Sequence, residues 1–200
     1  MIKLMTPGPT QVRENVRLAR SLPTTNPDLD LSFYEEYRDI CLKLAEFFHT
    51  DNPFYLLSGE GILGLETACA SLTEPQSRVL VIENGVFGRG FADFVKLYGG
   101  QAVTYSVDPL YPVDPDKLRS YLEKDHDFAY ATLVHCDTPS GMLNDVERLC
   151  PILKEYGILT VVDSVSASFG VPLDVSKARI DILCGGSQKA LSAPIGLTFL

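Results

Sequence analysis

The chain has 200 residues, 46% of them hydrophobic, which suits one globular domain or one domain and part of another. Its formal net charge of −9 and pI of about 4.8, with no basic stripe, speak against a nucleic-acid binder, and the lack of an apolar run of about 18 residues speaks against a membrane span. The five cysteines are scattered without C-x-x-C spacing, so neither a disulfide framework nor a metal site is expected, and free thiols in a reducing cytoplasm fit best.

At the start, Met1-Ile2-Lys3-Leu4-Met5-Thr6 lacks a long apolar core and meets Pro7-Gly8-Pro9 at once, unlike a secretory signal. Residues 21–31, rich in Pro, Asn and Asp, read as a loop. Across 32–49, Phe33, Tyr37, Ile40, Cys41, Leu44, Phe47 and Phe48 recur at helical spacing and predict a long amphipathic helix. An alternation follows: strand 54–57, helix 62–72, strand 78–82, helix 88–98, strand 102–106, helix 114–124, strand 128–134 and helix 145–156. Strands at 158–162, 180–184 and 196–200 complete the series. Strands alternating with helices of this length imply βαβ units, an α/β fold and a mostly parallel sheet. Such sheets bind ligands at the carboxyl ends of their strands, so the informative residues should lie just after strands. The last five residues, Gly196-Leu197-Thr198-Phe199-Leu200, are apolar and uncapped, which reads as a larger protein cut short.

Four such loops carry polar residues or glycines. Ser58-Gly59-Glu60-Gly61-Ile62-Leu63-Gly64 opens a helix, where backbone N–H groups can approach a phosphate. Alone the loop reads rather as a glycine-rich turn, and Glu60 opposes an anion unless its carboxylate points away. In Glu83-Asn84-Gly85-Val86-Phe87-Gly88, Phe87 either stacks on a planar ligand or caps the sheet as a core residue. His135-Cys136-Asp137-Thr138-Pro139-Ser140-Gly141 offers several hydrogen-bonding groups. A His135–Cys136 nucleophile pair is disfavoured there, because adjacent residues of an extended chain point to opposite faces. Finally, Asp163 ends an apolar strand, and Lys189 follows strand 180–184 and Gly185-Gly186-Ser187-Gln188. A carboxylate at an apolar strand end needs a partner. A lysine imine with an acid on a ring nitrogen is the pattern of pyridoxal-phosphate chemistry. From spacing alone, a structural Asp–Lys ion pair explains the two residues equally well.

Together and in this order, these loops resemble the class V aminotransferases of pyridoxal-phosphate fold type I. Val162-Asp163-Ser164-Val165 followed by Gly186-Ser187-Gln188-Lys189-Ala190-Leu191-Ser192-Ala193-Pro194, with Thr6-Pro7-Gly8-Pro9-Thr10, is similar to the alanine–glyoxylate and serine–pyruvate enzymes. The run from Val134-His135 to Asn144 also resembles 2-aminoethylphosphonate–pyruvate aminotransferases. The resemblance implies a three-layer α/β sandwich of the aspartate-aminotransferase type. It also implies an N-terminal segment over residues 1–20, a cofactor-binding large domain over 21–200, and a small C-terminal domain not contained in this chain. Pyridoxal 5′-phosphate is the implied cofactor, a small amino acid and a 2-oxo acid the substrates, and a homodimer the assembly.

The implied roles are as follows. Lys189 carries the cofactor as an imine and shuttles the proton, while Asp163 pairs with the ring nitrogen. Phe87 stacks on the ring and Val165 packs on its other face. Thr138 hydrogen-bonds the cofactor. Glu60, Gly61 and Ile62 line the phosphate cup, Gln188 adds a side-chain contact, and Gly8 lies near the substrate carboxylate. Glu60 stands where many relatives have Ser, and its side chain is expected to turn outward or meet a cation. The relatives' carboxylate-binding arginine maps to no residue of this chain. A cysteine desulfurase or lyase of the same fold is the nearest rival, but its relatives commonly carry His at the positions of Phe87 and Gln188. A non-catalytic binding module is the rival from another class.

Overall fold

Neighbouring residues of the inner strands belong to different cores, which makes the molecule three layers. The computed structural model describes residues 3–200; Met1 and Ile2, the first two residues of the expected N-terminal segment, lie outside the described residues. The order is α1 (Glu14–Ala19), α2 (Leu31–Phe47), β1 (Leu56–Ser58), α3 (Gly61–Leu72), β2 (Arg78–Glu83), α4 (Val86–Leu97), β3 (Gln101–Ser106) and α5 (Pro115–Leu122). It continues with β4 (Tyr130–Val134), β5 (Cys136–Asp137), β6 (Met142–Leu143), α6 (Val146–Glu155), β7 (Leu159–Asp163), α7 (Val175–Ala178), β8 (Ile182–Gly186) and β9 (Leu197–Phe199).

Seven strands form one sheet in the order β1-β9-β8-β7-β4-β2-β3, and β5 pairs with β6 in a separate hairpin. From β8 to β3 all neighbours are parallel, whereas β9 runs antiparallel to both β8 and β1. The expected α/β fold with a mostly parallel sheet is therefore present. On β2, Val79 and Val81 join one core cluster and Leu80 and Ile82 the other. On β4, Tyr130 and Val134 share the first cluster, and Ala131 and Leu133 the second. This is the period of two expected of a strand covered on both faces. Helices α3 and α4 supply Leu65, Phe91 and Val95 to one side, while α5 and α6 supply Leu118, Leu149 and Leu153 to the other. Leu133 is fully buried. Leu133→Ala is expected to destabilise the chain by about 2–5 kcal/mol, read as a lower urea midpoint.

The long helix forms, but among its own residues only Leu44 is buried. Its apolar stripe reaches the core at its C-terminal end, where Phe48 stacks near Phe54 and Phe199. Four elements carried no sequence signal. Helix α1 has no buried residue and so no apolar period. Helix α7 is four residues long, held by the Asp174 side chain accepting from Lys177 N at 2.8 Å. The two-residue strands β5 and β6 are too short for a pattern.

The connections after β2 and β4 leave the sheet on opposite faces, through α4 and α6 respectively. That divergence opens a crevice at the carboxyl ends of two adjacent strands. A buried amide pair frames it: Asn84 Nδ2 donates to Asn144 Oδ1 at 2.9 Å and Asn144 Nδ2 to Asn84 Oδ1 at 3.0 Å. Asn144 Nδ2 also donates to Val134 O at 2.7 Å, tying the end of β4 to the turn that begins α4.

Candidate active site

The loop after β8 is wound tightly around its own backbone. Ser187 N donates to Leu197 O at 3.0 Å, Ala193 N to Ser187 O at 3.1 Å, and the Ser187 hydroxyl to Pro194 O at 2.6 Å. The N-terminal segment then crosses it: Thr10 N donates to Gln188 O at 2.9 Å and the Thr10 hydroxyl to Lys189 O at 2.6 Å. Lys189 is thus pinned at its backbone, and its side chain runs into the cavity. Gly8 packs directly on that side chain, and a Cβ there would overlap it from Cδ to Nζ. Lys189 Nζ donates to Thr138 Oγ1 at 3.3 Å, and Thr138 Oγ1 lies 2.5 Å from Ser166 Oγ.

Asp163 ends β7 and is buried. One carboxylate oxygen accepts from Val165 N at 3.0 Å. Burial pushes its carboxyl up to about 6; the Val165 N–H and the Lys189 charge pull it back only in part, and Asp137 adds to the rise. An acid so placed gains from any cationic or protonated partner reaching its free oxygen.

Lys189, Asp163 and Thr138 line one cavity of about 370 Å³. So do Phe87 and Val165, the Glu60, Gly61 and Ile62 turn, Gln188 and Gly8. The structure thereby brings together every residue to which the resemblance assigns a role. Phe87 enters from the first turn of α4 and Val165 from the turn after β7. Gly61 begins α3 against Val165, where a Cβ would collide with the valine methyls. The first N–H groups of α3, at Gly61 and Ile62, have no acceptor within the helix. Gln188 is buried, and its side-chain Oε1 has no hydrogen-bond partner among the described residues. The unpartnered Gln188 Oε1 can accept from a ligand donor, and the free helix N–H groups can donate to a ligand acceptor. Glu60 is exposed at the cavity rim. It makes no ion pair among the described residues, so the cation expected as one outcome is not found there.

Three further residues belong to this neighbourhood. Ser166 and Cys136 line the cavity, and burial raises the Cys136 thiol above its ordinary value. His135 is buried, its ring pushed down to about 4 by burial, with Nδ1 3.1 Å from Ser164 Oγ. A raised thiol and a histidine engaged elsewhere make no nucleophile pair. Ser166 sits one residue past the Asp163-Ser164-Val165 run and carried no signal of its own.

The sequence profile described as "Aminotransferase class-V" matches residues 19–200. The chain belongs to the class V aminotransferase family. It is 34% identical over 194 residues, 97% of this chain and 50% of the other, to an uncharacterized aminotransferase of Methanocaldococcus jannaschii. Pyridoxamine–pyruvate aminotransferase from Mesorhizobium loti superposes with a TM-score of 0.93 at 29% identity, over 99% of this chain and 50% of that one. Alanine–glyoxylate aminotransferase from Nostoc sp. gives 0.92 at 29%, over 97% and 51%. These neighbours are of the pyridoxal-phosphate fold type I group, the architecture seen here. The class V aminotransferase chain described here spans about half the length of the curated relatives it matches.

Proposed function

We propose that this chain is the cofactor-binding part of a pyridoxal-phosphate-dependent aminotransferase, a cytoplasmic homodimer that moves an amino group from a small amino acid to a 2-oxo acid such as glyoxylate or pyruvate. The observation that carries this is a lysine amine and a buried, partly unpartnered carboxylate lining one cavity at the carboxyl ends of parallel strands. The free N–H groups of α3 fit the phosphate end of such a cofactor, and the Gln188 side chain lines the same cavity. Among the described residues no helix is long and apolar enough to cross a membrane.

When bound, pyridoxal phosphate supplies an electron sink that acidifies the Cα–H bond of an amino substrate and stores its amino group. The protein does the rest. Lys189 Nζ, oriented by Thr138, takes the α-proton and returns it at the other carbon. Asp163 holds a proton at the ring nitrogen, where burial makes the pairing strong. Phe87 and Val165 would flank the ring from the cavity walls, and Gly8, which packs on the Lys189 side chain, would lie near the substrate carboxylate. The test is a donor–acceptor panel of alanine, serine and 2-aminoethylphosphonate against glyoxylate and pyruvate, read by keto-acid formation on the full-length protein. Protein that stays colourless with pyridoxal phosphate and forms no keto acid would leave only a binding module.

One observation favours a second reading of the donor. The Glu60 carboxylate stands beside the helix N-terminus that would receive a phosphate, and among the described residues no cation pairs with it. A relative from Mesorhizobium japonicum, 31% identical over 173 residues, is a pyridoxamine–pyruvate transaminase. An unphosphorylated ring would escape the repulsion, making pyridoxamine itself the amino donor. Glu60→Ser is expected to shift the ratio of pyridoxal phosphate to pyridoxal affinity by about tenfold toward the phosphate, scaled to a like-charge contact in partly screened surroundings. An unchanged ratio in a binding titration removes this second reading.

A further inference from the structure

Asp137 is a buried carboxylate outside the cavity lining, and its donors come from two different walls of the site. Its Oδ1 accepts from Phe87 N at 3.2 Å. Its Oδ2 accepts from Ser140 N at 3.3 Å and from the Ser140 hydroxyl at 2.9 Å. Its own carbonyl accepts from Gly141 N at 2.8 Å, closing the turn that carries Thr138. No cation lies within ion-pair distance of it among the described residues. Helix α4 has no cap from its own chain segment, because the N-cap position is Gly85. That glycine is required by contact: a Cβ on it would overlap the Asp137 carboxyl group. The negative charge therefore sits at the positive end of a 12-residue helix, pressed onto Gly85, and holds the N–H of the residue whose ring lines the cavity.

We infer that Asp137 is a positioning residue: it caps α4 from across the chain and so fixes the Phe87 ring over the plane of the bound ligand ring, while holding the Thr138 turn at the same distance. This rests on the proposed function for what the ring is. The inference concerns where Phe87 is held, not a contact of Asp137 with any ligand. An aromatic wall held through a backbone N–H, rather than by packing, moves when that bond is lost: Phe87 is 42% exposed and has little core contact to keep it in place.

The test is a double-mutant cycle on pyridoxal 5′-phosphate affinity, with a ligand-free exchange measurement beside it. Phe87→Ala is expected to weaken binding by about tenfold, the scale of one stacking contact. Asp137→Ala is expected to cost a similar factor while Phe87 is present and less than about twofold in the Phe87→Ala background. In the ligand-free chain, Asp137→Ala should speed amide hydrogen exchange at residues 86–88 and leave the Val95 end of α4 unchanged. Asp137→Asn keeps one acceptor oxygen, so it should fall between the two, at about threefold and again only with Phe87 present. It replaces the alanine variant in the cycle if that variant does not fold. Equal losses with and without Phe87, or unchanged exchange at 86–88, overturn the inference. Wild-type chain that takes up no pyridoxal phosphate overturns the proposed function instead, and the exchange measurement alone then decides whether Asp137 holds this turn.

Discussion

Lys189→Ala is expected to abolish amino transfer, with a loss of about 10⁴-fold or more, because in the proposed mechanism one amine both tethers the cofactor and moves the proton. Wild-type protein mixed with pyridoxal phosphate should absorb at about 410–430 nm, and the variant should not. Borohydride treatment followed by peptide mass analysis should place the reduced adduct on Lys189 and on no other lysine. The structure argues for this single site by access. Lys189 alone of the lysines lines the cavity that also contains Asp163. Its backbone carbonyl is held by Thr10, so its side chain swings from a fixed base. A variant that keeps both colour and turnover would end the proposed mechanism. A variant that loses turnover but still binds pyridoxal phosphate with unchanged affinity would show that the tether adds little to binding.

What could be read in advance follows from what the sequence encodes locally. Strand 128–134 and strand 78–82 were visible because both are apolar on both faces, the signature of a strand covered by helices on each side. Asp163 stood out because a charge at the end of an apolar strand needs a partner, and Lys189 because it follows the next strand's glycine loop, though only the resemblance chose between an ion pair and a cofactor site. Other features depend on residues distant in sequence. Helix α4 begins at Val86, two residues before the expected start, because its N-terminal donor is satisfied by Asp137, 50 residues away. Read locally, Asn84-Gly85 is simply a turn. The antiparallel direction of β9 was equally hidden, since its apolar pattern is the same in either direction. Ser166 reached the site through a bond to Thr138, 28 residues away, which no spacing rule anticipates.

Asp163→Asn should separate function from stability. Amino transfer is expected to fall by about 10²–10³-fold, the usual scale for removing one preorganised charge from a water-poor site. The ligand-free protein, by contrast, should become more stable near pH 7.5. Burial raises the Asp163 carboxyl from an ordinary 3.8 to about 6, so the folded chain keeps this proton to higher pH than the unfolded chain does. Stability then falls as the pH climbs from about 4 to about 6, and above that range the native state holds an ionised, poorly solvated carboxylate. A shift of about two units corresponds to roughly 3 kcal/mol at full ionisation, or about 5–10 °C in melting temperature for a chain of this size. Asparagine retains an oxygen for the Val165 N–H and carries no charge, so it should recover much of that difference. The two melting curves should converge below about pH 4, where the wild-type carboxyl is protonated in both states. Saturating pyridoxal phosphate should reverse the order, because a protonated ring nitrogen turns the unsatisfied carboxylate into half of a buried pair. An asparagine variant less stable than wild type at pH 7.5 without ligand would mean that the Asp163 charge is already compensated within the protein, and its assignment to the ring nitrogen would fall.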